Sequence, residues 1–280
     1  MKQIPLNQAL AVAIKAARAA GKVMRDNWLK PKRIKLDDAH DIKLELDVRC
    51  QKLIEKILRA SFPEIPLLGE EGDSGDVNAD YRWVVDPIDG TVNYFYGMPH
   101  AGVSIALQVR SPQSTVYSPN SRPSSILHPQ SSHRTVVAVI YDPFADELWT
   151  TVHGQPTRLN GKIVRVSNRT RLEDCVVAMG FSKNRENMNK SLPHLNRLAR
   201  RVKKIRVMGS AALELAYVAS GRLDAYVERT INLWDVAAGQ LLVENAGGEF
   251  YALPAPGGKM RMCASNGKLR LKLKIGGLLR

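Results

Sequence analysis

The chain has 280 residues, of which 44% are hydrophobic and 24% charged, so it is long and apolar enough for one large domain or two packed halves and is not a disordered protein. A formal net charge of +14 predicts attraction to anions such as phosphate esters, nucleic acid or acidic lipid, without choosing among them. Cys50, Cys175 and Cys263 are odd in number and far apart, which excludes a zinc or redox pattern and fits reduced cytoplasmic thiols; no apolar run is long enough to span a membrane.

Leu6, Leu10, Ala13, Ile14, Ala17, Val23 and Met24 recur at helical spacing and predict a first helix over residues 7–28. Its apolar start imitates a secretory signal only weakly. Lys15 and Arg18 interrupt the run and the periodicity continues through them, so it reads as mature protein. Ile42, Leu44 and Leu46 alternate as in a strand. The period then changes, with Cys50, Leu53, Ile54, Ile57 and Leu58 on one helix face. Asp47 falls at the junction, where an N-cap is its ordinary role. Residues 66–68 are a short apolar run that ends in Gly69, Glu70, Glu71 and Gly72, acids that a solvated loop would also carry.

Trp83, Val84 and Val85 read as a buried strand ending in Asp86-Pro87-Ile88-Asp89-Gly90-Thr91-Val92-Asn93. Pro87 restricts one backbone angle between the carboxylates, and Gly90 permits a turn that a side chain would forbid. Such a corner brings Asp86, Asp89 and the Ile88 carbonyl around one hard cation, with the N–H groups of Gly90 and Thr91 facing an anion beside it. Strands follow over 102–109, 135–141 and 147–152. Residues 111–133, rich in Ser and Pro, separate the first two of these as a surface loop; His128 and His133 fall in it without assigned chemistry.

A turn at Asn160-Gly161 leads to a strand ending at Val166-Ser167. Strands at 176–179, 205–208 and 223–228 then alternate with helices at 186–202, from Ala211 to Ala219, and from Asp235 to Asn245, which Gly247-Gly248 ends. This is an α/β pattern with helices covering sheets. Asp235 alone is explained as an acid at a helix start. Lys183 and Arg185 read as solvated surface charges.

The string from Asp86 to Thr91 after an apolar strand resembles the signature of the inositol monophosphatase family, lithium-sensitive and magnesium-dependent phosphatases. Trp234-Asp235-Val236-Ala237-Ala238-Gly239 is similar to its second signature, and the likeness runs from the first helix to about Leu269, apart from the 111–133 insertion. It implies a layered αβαβα sandwich in two halves, residues 1–155 with the first motif and residues 156–280 with the second. It implies two or three Mg²⁺ held by Glu70, Asp86, Asp89, Asp235 and the Ile88 carbonyl. Glu70, Thr91 and Asp47 would serve in catalysis, and Asp89, Gly90, Thr91, Ser210, Ala211, Glu228 and Asp235 would meet substrate. The implied reaction is hydrolysis of an inositol-1-monophosphate-like ester by in-line attack of metal-activated water, in a cytoplasmic homodimer acting on a small phosphorylated polyol or sugar.

Asn93 followed by Tyr94 favours the inositol branch. Fructose-1,6-bisphosphatases and 3′-phosphoadenosine-nucleotide phosphatases of the same superfamily are the enzyme alternatives. Thr230 stands where the family often has Gly two residues after Glu228. A basic RNA-binding accessory protein is the alternative from another class, disfavoured by the lack of an RNA-binding motif and by a complete set of acids.

Overall fold

A computed structural model describes residues 4–38, 41–111, 133–181 and 185–269. The chain runs α1 (Leu6–Asp26), β1 (Ile34–Asp38), β2 (Asp41–Leu44), α2 (Glu45–Ser61), β3 (Leu67–Gly69), β4 (Tyr81–Asp89), α3 (Thr91–Phe95), β5 (Gly102–Arg110), β6 (His133–Asp142), β7 (Glu147–Val152), β8 (Arg158–Leu159) and β9 (Lys162–Ile163). It continues with β10 (Val176–Met179), α4 (Arg185–Ala199), β11 (Lys204–Arg206), α5 (Ala211–Ala219), β12 (Ala225–Ile231), α6 (Leu233–Asn245), β13 (Glu249–Pro254) and β14 (Met260–Ser265). A seven-stranded sheet has the order β3-β4-β5-β6-β7-β8-β9, a five-stranded sheet the order β11-β10-β12-β14-β13, and β1 and β2 form a hairpin.

Strand periodicity sorts the side chains into layers. In β4, Trp83 and Val85 join one core with Ala9, Ala13, Ala17 and Met24 of α1 and Cys50, Ile54 and Leu58 of α2. Val84 points the other way, as do Ala106, Ala138, Ile140 and Trp149, into a second core with Leu213 and Leu215 of α5 and Val236, Leu241 and Leu242 of α6. Tyr226, Met262, Phe250 and Ala264 of the five-stranded sheet close that core from the opposite side. The far face of this sheet packs Val177, Val227 and Cys263 under Leu198 and Val202. The order of layers is therefore α1/α2, sheet, α5/α6, sheet, α4, the sandwich expected from the sequence. The seven-stranded sheet takes β8 and β9, beyond residue 155.

Several local expectations shift. α2 begins at Glu45, so Asp47 is its third residue, not the cap; its Oδ2 accepts the Leu44 N–H at 2.7 Å. His133 opens β6 and is buried, with Nε2 2.7 Å from the Ala79 carbonyl, because the β5–β6 ladder continues to the pair Arg110–His133. Most of the 111–133 segment, His128 included, lies outside the described residues. No strand runs to Val166-Ser167; pairing there ends at Ile163. β13 and β14, unpredicted, complete the second sheet. All three cysteines are free and buried. Among the described residues no helix is long and apolar enough to cross a membrane.

Candidate active site

Two strands lose register where they carry candidate site residues. In β4–β5, Asp86 pairs with Ser104 but Asp89 with Gly102, so one extra residue bulges at Pro87-Ile88. Proline tolerates that position because a bulge needs no ladder N–H. In β12–β14 the same slip lies between Glu228 and Ile231. Each bulge turns side chains out of the pleat toward a cleft of about 950 Å³ between the two sheets.

Gly90 ends β4 with φ 90° and ψ 36°, the left-handed region. A Cβ there would lie 2.9 Å from the His100 carbonyl oxygen and 3.1 Å from that of Gly209, so both conformation and space require glycine. The Ile88 N–H donates to Asp86 Oδ1 at 3.0 Å, and the Thr91 hydroxyl donates to the Ile88 carbonyl at 2.9 Å. Asn93 ties this corner to the second half, its Nδ2 donating to the carbonyls of His100 at 2.8 Å and Met208 at 2.7 Å.

Asp89 Oδ2 accepts the Ser210 hydroxyl at 2.5 Å and the Ala212 N–H at 2.7 Å. The start of α5 thus meets a carboxylate with N–H groups that have no partner inside the helix. Burial nevertheless outweighs these bonds and pushes the Asp89 carboxyl up to about 6. Asp235 is the third residue of α6, and its Oδ2 accepts the Asn232 N–H at 2.9 Å. Asn232 is the cap, so the sequence expectation that Asp235 opens the helix shifts by two residues. Burial, then the charges of Asp89 and Glu70, lift Asp235 well above the carboxylate range. Burial, then Glu70, Asp89 and Asp235, do the same to Asp86.

Parallel pairing of β3 with β4 sets Gly69 beside Val85 and delivers Glu70 next to Asp86. Gln51 of α2 holds the turn that follows: its Oε1 accepts the Glu71 N–H at 3.0 Å and its Nε2 donates to the Gly72 carbonyl at 2.7 Å. Glu71 turns aside to Lys43, 3.1 Å away. Asp47 is buried behind the cleft and is not among its lining residues. Its Oδ1 has no hydrogen-bond partner, and burial, opposed by the Leu44 N–H and reinforced by Glu70 and Glu71, pushes it up to about 8.

Asp86, Asp89 and Asp235 each place a carboxylate oxygen within 4.8 Å of the others. Oxygen donors alone, with unoffset negative charge, fit a hard divalent cation. Glu70, Ile88, Gly90, Thr91, Ser210, Ala211 and Glu228 line the same cleft, so the structure collects every sequence-predicted site residue except Asp47. Lys183 and Arg185 lie outside the residues whose side chains are described.

Sequence reasoning missed three residues and the task of a fourth. Asn93, read only as a branch marker beside Tyr94, ties the corner to the second half, and Gln51 acts through backbone contacts that no motif advertises. Glu214 and Tyr226 also line the cleft, and the one available signal was an acid inside the apolar helix Ala-Ala-Leu-Glu-Leu-Ala.

A model of the inositol monophosphatase family matches residues 6–120 and 130–268. A Nus factor SuhB from Xylella fastidiosa is 39% identical over 254 residues, 89% of this chain and 84% of the relative. Inositol monophosphatase 2 from Solanum lycopersicum is 35% identical over 245 residues, 85% and 84% of the two chains. Among solved structures, an inositol monophosphatase from Anabaena (Nostoc) superposes with a TM-score of 0.80 at 31% identity, covering 98% of this chain and 96% of that one.

Proposed function

The chain belongs to the inositol monophosphatase family, and from that premise we propose that it hydrolyses the phosphate monoester of a small polyol, most like an inositol 1-phosphate, with Mg²⁺ as cofactor. The observation that carries the reading is the convergence of two buried carboxylates and one half-buried one within 4.8 Å in a large cleft. Glu70, Asp86, Asp89, Asp235 and the Ile88 carbonyl would hold two or three ions. Bound there, magnesium supplies positive charge that offsets the acids and the ester phosphate and acidifies the attacking water.

The chain's own groups do the rest. Backbone N–H groups of Gly90 and Thr91 take phosphate oxygens. The Thr91 hydroxyl, which donates its hydrogen bond to the Ile88 carbonyl, keeps lone pairs that can accept a hydrogen bond from the attacking water, and Glu70 can accept the other. Asp47, buried near Glu70 and pushed up to about 8 by burial and by the charges of Glu70 and Glu71, would stand beside that acid as a largely protonated neighbour. Glu228, with Ser210 and Ala211, receives the polyol. Direct in-line attack is favoured because no activated Cys or Asp-x-Asp pattern offers a covalent intermediate.

A phosphate-release panel with inositol 1-phosphate, fructose 1,6-bisphosphate and 3′-phosphoadenosine 5′-phosphate tests the proposal. We expect inositol 1-phosphate to be hydrolysed best, only with Mg²⁺ added. Release from none of the three would reject the enzyme reading, and full turnover in excess chelator would reject the metal.

A second reading, contact with nucleic acid, has its own observations. Arg197, Arg200, Arg201, Lys203, Lys204 and Arg206 are all exposed within ten residues, and the Xylella relative is named a Nus factor. Salt-dependent RNA binding in chelator tests it.

A further inference from the structure

Asn93 follows the acids of the β4 corner and lines the cleft, yet the proposed chemistry gives it no task. It is buried, and its Nδ2 carries two hydrogens. Both have an acceptor, the His100 carbonyl at 2.8 Å and the Met208 carbonyl at 2.7 Å. A carbonyl only accepts, so these two bonds fix which end of the amide faces them. The two carbonyls belong to different layers. His100 lies on the approach to β5 of the seven-stranded sheet, and Met208 lies between β11 of the five-stranded sheet and α5.

The turn over residues 208–212, which carries Ser210 and Ala211 into the cleft, is fastened at both ends. At its far end Asp89 Oδ2 accepts the Ser210 hydroxyl at 2.5 Å and the Ala212 N–H at 2.7 Å. At its entry the Met208 peptides are held on both sides, the N–H by Glu214 Oε1 at 3.0 Å and the carbonyl by Asn93. Gly209 joins the two ends in the left-handed region, φ 81°. Glycine has the widest backbone freedom of any residue, so this joint is the one that moves when its restraints go. The turn is also shaped around Asn93, since a Cβ on Gly209 would lie 3.1 Å from Asn93 Nδ2.

We propose that Asn93 is a specificity-positioning residue: its amide clamps the Met208–Gly209 peptide to the corner that holds metal and phosphate, and so sets the span between the phosphate end of the cleft and the turn that receives the substrate's alcohol portion. The proposal rests on the reading of the cleft as a polyol-phosphate site. A polyol ester is held at both ends and needs that span, because hydrogen bonds to its hydroxyls weaken steeply with distance and angle. An ester whose alcohol has no further hydroxyl uses the phosphate end alone. Without the amide, two carbonyls lose their donors and the Gly209 joint loosens, a cost of about a factor of ten that falls on the polyol ester.

The test measures kcat/KM for inositol 1-phosphate and for p-nitrophenyl phosphate in wild type, Asn93→Leu and Asn93→Asp, with the melting temperature and its magnesium midpoint for each. Leu and Asp keep the size of Asn and offer the two carbonyls no amide. Each should lower the inositol-to-aryl selectivity ratio about tenfold, through KM for inositol 1-phosphate, and leave the magnesium midpoint within about twofold of wild type. Equal losses on both esters or an unchanged ratio would overturn the proposal, as a packing role predicts. So would an Asp variant that keeps the ratio, since Asp retains the Oδ1 that a direct contact to substrate would use, and so would a tenfold shift of the magnesium midpoint. Should Asn93→Leu not fold, Asn93→Ser, smaller and with a single donor, decides it by the same ratio, which should fall at least about threefold. Wild-type protein that turns over neither ester would overturn the hydrolase reading and this one together, whereas a turned-over pair with an unaltered ratio sinks only the role of Asn93.

Discussion

Asp235→Asn separates the charge of Asp235 from its place in the backbone of α6. Asp235 Oδ2 accepts the Asn232 N–H at 2.9 Å, and the Asn side-chain oxygen accepts the same bond, so the start of the helix survives. What is lost is one of three carboxylates whose oxygens lie within 4.8 Å of one another. At an effective dielectric constant of 20, each ionised pair at that separation repels by about 3 kcal/mol. Three ionised acids would store roughly three times that, which the protein avoids by protonation or by binding a cation, as their raised pKa values record. The variant removes two of the three pairs. In excess chelator it should melt at or above the wild-type temperature.

Magnesium should reverse the order. A ligand at a hundred times its Kd stabilises by about 2.7 kcal/mol, worth roughly 5 °C or more in a chain of this size. Wild type should show that rise by scanning fluorimetry, and Asp235→Asn should lose most of it. Phosphate release should fall on the order of a hundredfold or more, as losing one preorganised charge commonly does. Asp235→Ala, which drops the bond to Asn232 as well, should add about 1 kcal/mol of instability in chelator. An Asp235→Asn protein with the wild-type magnesium titration and wild-type turnover would refute both the assignment and the electrostatic reasoning.

Gly90→Ala should cost on the order of 2 kcal/mol or more and most of the activity, because its Cβ meets backbone oxygens at 2.9 and 3.1 Å in a left-handed conformation; an unshifted thermal melt would contradict this. Gln51→Leu removes both bonds to the Glu71–Gly72 turn and should raise the magnesium needed for half-maximal turnover, a titration that Gln51→Glu should disturb less since it keeps the acceptor for Glu71. Deleting residues 112–132 and closing Ser111 to His133 with a short turn should leave a folded enzyme, since Arg110 and His133 already pair; a collapse of both melting temperature and turnover would refute it. The Asp47 carboxyl stands at about 8 in the folded state against 3.8, so its contribution to stability is fully present below about pH 4 and is lost as pH rises through about 8. Denaturant melts in chelator should therefore show wild type losing ground to Asp47→Asn across that window, and a gap independent of pH would be inconsistent with a buried acid of raised pKa.

How much of this was legible beforehand depends on how local each feature is. The corner from Asp86 to Thr91 could be read in the chain because its chemistry is compressed into six residues, with Pro87 and Gly90 restricting the backbone between the acids. α1 and α2 were legible because a buried helix face repeats every three or four residues whatever covers it. The second signature marked Asp235, and family likeness, not local physics, connected it to Asp86. Its exact position was missed because a carboxylate at the first or third helical residue serves the backbone almost equally well.

The tertiary structure decided the rest, for a physical reason. Period-two patterns say that Val84 and Val85 face opposite ways but not what lies on either side. Stacking α5 and α6 between the sheets brings Ser210 and Ala212 onto Asp89 and sets Asp235 within 4.8 Å of it, a contact between residues far apart in the chain. His133 looked like loop because its buried role depends on a strand partner, Arg110, and on the Ala79 carbonyl. Glu214 and Tyr226 carried no motif, and only the stacked layers bring them to the cleft that Glu228 lines. Local sequence determines backbone conformation and the burial face of each element, whereas the direction in which a buried polar group aims its hydrogen bonds is settled only by the elements that close over it.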